Sequence, residues 1–207
     1  MSSRTDNFAH WDNIYATKEI INVSWYQEYP RQSIEMINIS NIKKNAHIID
    51  VGSGVSALIK ELITNNFVNI TALDISKNAI ETLKKQLGEK SKTINWINSN
   101  ILAAKLSSNA FELWHDRATM HFLTDKEDIS NYKEKIFDAL KPKGYIIIMT
   151  FAENGPDKCS GLPVMKYSIK SLSKEFQSCD LLHGRNHSHY TPDGIEQKFV
   201  TCLFQLK

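Results

Sequence analysis

The stretch Ile48-Ile49-Asp50-Val51-Gly52-Ser53-Gly54 constrains this chain more than any other. A short apolar run ends in two glycines, and Leu58, Ile59, Leu62 and Ile63 then recur on one helical face. The pattern predicts a buried strand, a tight turn and a helix. Glycine has no Cβ, so a ligand can approach the backbone of such a turn. The helix start adds free N–H groups and a positive dipole end. A nucleotide-like ligand is therefore expected at the carboxyl end of the strand, although a Gly-x-Gly turn also occurs with no ligand. Ala57 stands where a dinucleotide fingerprint has its third glycine.

The same rhythm continues downstream. Residues 68–73 alternate and end in Asp74. A carboxylate there accepts hydrogen bonds from both ribose hydroxyls of a nucleoside. Ser76 is placed to cap the next helix, whose apolar face is Ile80, Leu83 and Leu87 and which Gly88 ends. Residues 93–97 read as a third strand leading to Asn100-Ile101. An amide and then an apolar residue suit an adenine, one bonding the exocyclic amine and the other covering the ring. Residues 111–115 read as a fourth strand running into Asp116-Arg117, and Thr124-x-x-Glu127 as a capping box for an amphipathic helix. Lys141-Pro142-Lys143-Gly144 reads as a turn and residues 145–151 as a fully buried fifth strand. Alternating strands and helices predict a parallel sheet with right-handed connections.

The two ends depart from this rhythm. Residues 5–19 read as a helix with Phe8, Trp11 and Tyr15 on one face, which either packs on the domain or caps a ligand site. The adjacent Trp25 and Tyr26 follow no period and face either a pocket or the core. A helix is expected over 31–39, after Pro30. Past a loop over 152–167 and a short helix near 169–177, strands over 180–188 and 197–206 flank Thr191-Pro192-Asp193-Gly194. Their closeness predicts an antiparallel hairpin at the sheet edge. The expected fold is α/β: one Rossmann-like, doubly wound, seven-stranded domain over 1–207, mostly parallel, with a helical cap over 1–40 and the core over 41–207.

Composition narrows the function classes. Basic and acidic residues nearly balance at 25 and 23, and no basic stripe with interleaved aromatics stands out, so no nucleic-acid partner is expected. Cys159, Cys179 and Cys202 form no Cys-x-x-Cys pair and predict free thiols of a reducing cytoplasm. Met1-Ser2-Ser3-Arg4-Thr5-Asp6 leads into no apolar leader, and no apolar run approaches the roughly 18 residues of a membrane span. A cytoplasmic location, no membrane partner and a monomer are the expectations. His183, His187 and His189 with Cys179 match no zinc spacing, so no metal is expected.

Taken together, these features resemble a class I S-adenosylmethionine-dependent methyltransferase over roughly residues 20–207. Asp50-x-Gly52-x-Gly54 is similar to that family's first motif, Asp74 to its ribose-binding acid, and Asn100-Ile101 to its adenine-contacting pair, with Asn where Asp is common. Trp11-Asp12, Ser24-Trp25-Tyr26-Gln27, Trp114-His115-Asp116-Arg117-Ala118 and Cys159-Ser160-Gly161-Leu162-Pro163-Val164 further resemble a group of small bacterial methyltransferases. That group is akin to eukaryotic enzymes that methylate lysines of citrate synthase and elongation factor 1A. The resemblance implies S-adenosylmethionine as cofactor and S-adenosylhomocysteine as product. Its implied contacts are Trp25, Tyr26, Asp50, Gly52, Ser53, Gly54, Asp74, Ile75, Asn100, Ile101 and His115.

Methyl transfer from a sulfonium needs chiefly alignment and exclusion of water, with a base only if the nucleophile arrives protonated. Asp116 and His115 are the candidate catalytic residues, Asp116 to orient or deprotonate an amine. Asp116 is equally readable as a structural carboxylate or as the ion-pair partner of Arg117. The acceptor is expected to be a protein lysine or a small nucleophile such as a thiol, amine or metalloid. A protein acceptor predicts an acidic rim, a small one a closed pocket under the N-terminal cap. Two further readings are a dinucleotide-binding oxidoreductase and a catalytically inactive cofactor-binding partner protein.

Overall fold

The computed structural model describes the backbone of residues 4–207 and the side chains from Phe8 onward. The expectations for residues 1–3 lie outside the described residues. Helices α1 (Arg4–Thr17) and α2 (Arg31–Ser40) precede the alternating part of the chain. That part runs β1 (His47–Val51), α3 (Ala57–Thr64), β2 (Asn69–Asp74), α4 (Lys77–Leu87), β3 (Ile94–Asn98), β4 (Phe111–Arg117), α5 (Lys126–Ala139) and β5 (Leu140–Phe151). A small β6–β7 pair (Lys158–Cys159 and Leu162–Pro163), α6 (Ile169–Glu175) and the long strands β8 (Cys179–Tyr190) and β9 (Glu196–Leu206) complete it.

Seven strands form one Rossmann-like sheet in the order β3-β2-β1-β4-β5-β9-β8. The first five are parallel, and β9 pairs antiparallel with both β5 and β8. The chain leaves β1 toward β2 on one side and returns through β4 on the other. A crevice opens at the carboxyl ends of strands at such a switch point. One buried cluster packs Trp114, Tyr132 and Ile148 on one face of the sheet, and another packs Ile48, Leu113 and Leu203 on the opposite face.

Several local expectations change in the folded chain. Strand β2 is buried on both faces despite its alternating sequence, because it lies inside a sheet covered by helices. Asp125, not Thr124, caps α5; its side chain accepts from Glu127 N at 2.8 Å. Residues 141–144 do not separate helix from strand. They bulge out of β5, which already pairs through Leu140 with Phe111 before pairing resumes at Tyr145 and Leu113. Lys143 takes a left-handed conformation in that bulge. Asp116 and Arg117 do not follow β4 but form its last residues.

Candidate cofactor and acceptor site

One cavity lies at the carboxyl ends of β1, β2 and β4, under α1 and the segment around Trp25. Its empty space, counting the open mouth, is about 1380 Å³. Of the residues expected at a cofactor site, Trp25, Tyr26, Asp50, Gly52, Ser53, Asp74, Ile75, Asn100 and Ile101 line it. Gly54, His115 and Asp116 do not.

The glycine turn is built differently from the sequence-based expectation. Gly52 and Gly54 both have positive φ, a conformation that glycine adopts at no steric cost. An added Cβ at Gly52 would collide with Thr119 Oγ1, and one at Gly54 with the Tyr15 hydroxyl. The space over the turn thus receives protein side chains. Nor are its amides free. Gly52 N and Ser53 N donate to Leu73 O at 2.8 and 3.0 Å, and Gly54 N donates to Asp74 Oδ2 at 2.6 Å. The start of α3 is likewise occupied, because Ser56 Oγ accepts from Leu58 N and Ile59 N. The turn fastens β1 to β2 and does not form an anion cradle.

Asp74 ends β2 with Oδ1 accepting from Ser76 N at 2.7 Å and Oδ2 from Gly54 N. Each carboxylate oxygen accepts more than one bond, so both keep capacity for a pair of ligand hydroxyls. Burial, joined by the nearby Asp50 and Asp12 charges, raises its pKa to about 6 against the pull of those two amides. Asn100 Oδ1 accepts from Leu102 N at 2.9 Å, and Ile101 is buried beside it. A carboxylate for hydroxyls, an amide and an apolar wall fit an adenosine.

Strand alternation divides the end of β4 between two faces of the sheet. His115 points toward α2. Its Nδ1 lies 2.7 Å from Asp50 Oδ1 on the neighbouring strand, and its Nε2 lies 2.9 Å from Ser33 Oγ. Ser56 Oγ completes this chain by donating to Asp50 Oδ2 at 3.1 Å. Asp116 points to the other face and is wholly buried. It accepts from Thr119 N at 2.8 Å, Met120 N at 2.9 Å and the Tyr132 hydroxyl, which itself accepts from Trp114 Nε1 at 3.1 Å. Burial raises its pKa to about 6 although these donors lower it. Asp116 has no contact with Arg117 that would make them an ion pair. It reaches the cavity only through Thr119, whose hydroxyl donates to Val51 O at 3.1 Å and packs against Gly52.

Arg117 escapes the sequence reading except as a partner for Asp116. It faces the cavity. Its Nη1 donates to Trp25 O at 3.1 Å, and its Cζ lies 5.6 Å from the Phe199 ring. Its Nη2 is shut off from solvent without a partner. Burial lowers its pKa to about 10, which leaves it a cation at neutral pH. Beside it, burial raises the Cys159 thiol to about 11, and burial together with Arg117 lowers His121 to about 3. Both are neutral. His121 is fully buried with both ring nitrogens unpartnered, between Phe122 and Phe151.

Helix α1 closes one wall. Trp11 meets Trp25 and Phe122 edge-on at 5.6 and 5.2 Å. Asp12 Oδ1 accepts from Ser76 Oγ at 2.7 Å and from Asn78 N at 3.0 Å, tying α1 to the start of α4. Among the described residues no group of three or more His, Cys, Asp or Glu is placed to hold a metal, and no helix is long and apolar enough to cross a membrane. His187 stacks on Phe199, and His189 Nε2 lies 2.8 Å from Ser24 O.

Comparison with known proteins agrees with this geometry. The methyltransferase domain family matches residues 42–192. EEF1A lysine methyltransferase 2 of Danio rerio is 28% identical over 153 residues, a match covering 67% of this chain and 66% of that protein. The chain thus spans slightly less than two thirds of that relative. The N-methyltransferase NodS from Bradyrhizobium japonicum WM9, in complex with S-adenosylhomocysteine, superposes with a TM-score of 0.69 at 12% identity, covering 95% of this chain and 98% of that one. A structure from work on conversion of a disulfide bond into a thioacetal group during echinomycin biosynthesis gives 0.78 at 14% identity, covering 97% and 93%. With its family matched over most of its length, this chain belongs to the methyltransferase-domain proteins, class I transferases whose cofactor is S-adenosylmethionine.

Proposed function

We propose that this chain transfers a methyl group to a small-molecule nucleophile enclosed beneath α1. The carrying observation is the composition of the cavity wall. Its two carboxylates, Asp50 and Asp74, belong to the β1 and β2 ends, while the β4 end presents Arg117, Phe122 and the thiol of Cys159. A lysine ammonium would meet a guanidinium there, and the nearest carboxylate, Asp50, is already engaged by His115 and Ser56.

The cofactor supplies a methyl group already activated by a positive sulfur. The rest falls to the chain. Asp74 takes the ribose hydroxyls, Asn100 and Ile101 take the adenine, and Gly52, Ser53 and Ile75 flank the ribose. Trp25 and Tyr26 cover the methionine end, and Asp50 fixes the adjoining wall through His115 and Ser33. Asp116 acts as a positioning residue: it holds Thr119 over Gly52 and leaves the proton of the acceptor to solvent or to the acceptor's own ionisation. Exclusion of water falls to Trp11, Tyr15 and Phe122.

A protein lysine is the second reading, favoured by the likeness to EEF1A lysine methyltransferase 2. Incubation with methyl-labelled S-adenosylmethionine and a cell extract separated into protein and small-molecule fractions decides between them. Label in small molecules is the expected result. Label confined to a discrete protein band would overturn it in favour of the lysine reading.

A further inference from the structure

We infer that Arg117 is the receiver for an anionic group, a carboxylate or its like, on the methyl acceptor, so that the substrates are small nucleophiles carrying negative charge. The inference rests on the small-molecule reading above and names its substrate class.

Arg117 forms no ion pair; the nearby Asp50 charge supports its cation without bonding it. Nη1 meets the carbonyl of Trp25, the plane lies by Phe199, and Nη2 has no partner. Neither wall carboxylate bonds it. Asp50 is bonded to His115 and Ser56, and Asp74 to Gly54 and Ser76. Leaving a charge buried and unpaired is costly, so a site that keeps one is incomplete without its ligand. The guanidinium presents parallel donors at fixed spacing, which matches a carboxylate in two-point contact.

The guanidinium lies away from the ribose end of the site. With the ribose on Asp74 at the end of β2, β1 stands between it and β4, and the Arg117 Cζ leans further, to 5.6 Å from the ring of Phe199 on β9. Its neighbour there is Cys159 of the small β6–β7 pair. On that ground the ligand that meets Nη2 is assigned to the acceptor, and the methionine tail is the competing partner that the test below separates. Coulomb's law acts in the same sense. Arg117 and the sulfonium are both cations facing one poorly hydrated space, which repels an ammonium and attracts an anion.

Benzoate is a suitable probe, since the surrounding wall is aromatic. Calorimetric titration of benzoate into the full chain saturated with S-adenosylhomocysteine is expected to show binding. Arg117→Gln should weaken it by about thirtyfold or more, at least tenfold more than it weakens S-adenosylhomocysteine. Arg117→Lys, which keeps the charge but not the fork, should fall between, and it carries the test if the glutamine variant does not fold. Benzyl alcohol, the neutral analogue, should not distinguish the three proteins. Equal benzoate affinity in all three, or no benzoate binding, would overturn the proposal. So would comparably weakened S-adenosylhomocysteine binding in Arg117→Gln with unchanged 5′-methylthioadenosine binding, because that pattern assigns Arg117 to the cofactor tail. Failure of the small-molecule reading itself shows separately, as methyl label only in protein.

Discussion

The two halves of the cavity treat their buried polar groups in opposite ways. On the β1–β2 side, Asp50, His115 and Ser56 form one hydrogen-bonded chain and Asp74 accepts from Gly54 N and Ser76 N, with Ser53 Oγ left unpartnered. On the β4 side, Arg117 Nη2 and both nitrogens of His121 have no partner. A satisfied network is rigid, and a half-satisfied one is costly unless something completes it. On the function proposed above, the first half is the mount for the cofactor and the second half meets the acceptor.

The comparison breaks most readily at Asp116, which stands behind both halves. Asp116→Ala leaves two amides and the Tyr132 hydroxyl without their acceptor. A loss of about 3–5 kcal/mol is expected in urea denaturation. A change below about 1 kcal/mol, with activity abolished, would return Asp116 to direct catalysis.

Next in size is Asp74→Asn. Losing the charged acceptor should raise the dissociation constant of S-adenosylhomocysteine by about thirtyfold, near 2 kcal/mol, in a titration, with a smaller fall in melting temperature than at Asp116. Unchanged affinity would remove Asp74 from the ribose site.

Acidity sharpens the contrast because binding and folding move in opposite directions. The raised pKa of Asp74, about 6, means the folded chain takes up that proton before the unfolded chain does. Its charge costs stability above about pH 6, and the cost is relieved as pH falls from there toward its unfolded value near 4. The stability of the native chain relative to Asp74→Asn should therefore rise across that window. Affinity for S-adenosylhomocysteine should fall over the same window, because a protonated Asp74 is a poorer acceptor. The asparagine variant should lack the binding trend and keep only the part of the stability trend that Asp116, also raised to about 6, supplies; a flat binding profile in the native chain would refute the assignment.

The smallest effect is expected at the cap. Asp12→Ala removes the bonds from Ser76 and Asn78, worth about 1 kcal/mol. Release of S-adenosylhomocysteine, followed by stopped-flow fluorescence of Trp11 and Trp25, should quicken by about fivefold. An unchanged rate would mean that α1 does not hold the ligand in.

Much of the cofactor side was legible in the chain because its signals are local. A strand, two glycines and a helix lie within a few residues of one another. Ser76 lies just before the helix it caps, and Gly88 just after its end. Where two local signals compete, sequence is weaker: Thr124 and Asp125 are both good caps, and backbone geometry chose Asp125. The turn at Lys141–Gly144 is present, but only pairing with β4 shows it to be a bulge within a strand.

By itself, the sequence determined the alternation of strands and helices, the glycine turn, the acid ending β2 and the antiparallel hairpin, since each follows from periodicity or backbone freedom in adjacent residues. Tertiary structure alone decided which side chains face the ligand. His115, Asp116 and Arg117 are consecutive, yet one braces Asp50, one is locked on the other face and one joins the cavity wall with its Nη2 unpartnered. Alternation along β4 separates Asp116 from its neighbours. What covers each face depends on α2, α5 and β9, which approach from distant parts of the chain, and long-range packing of that kind leaves no mark in the residues on either side of Arg117.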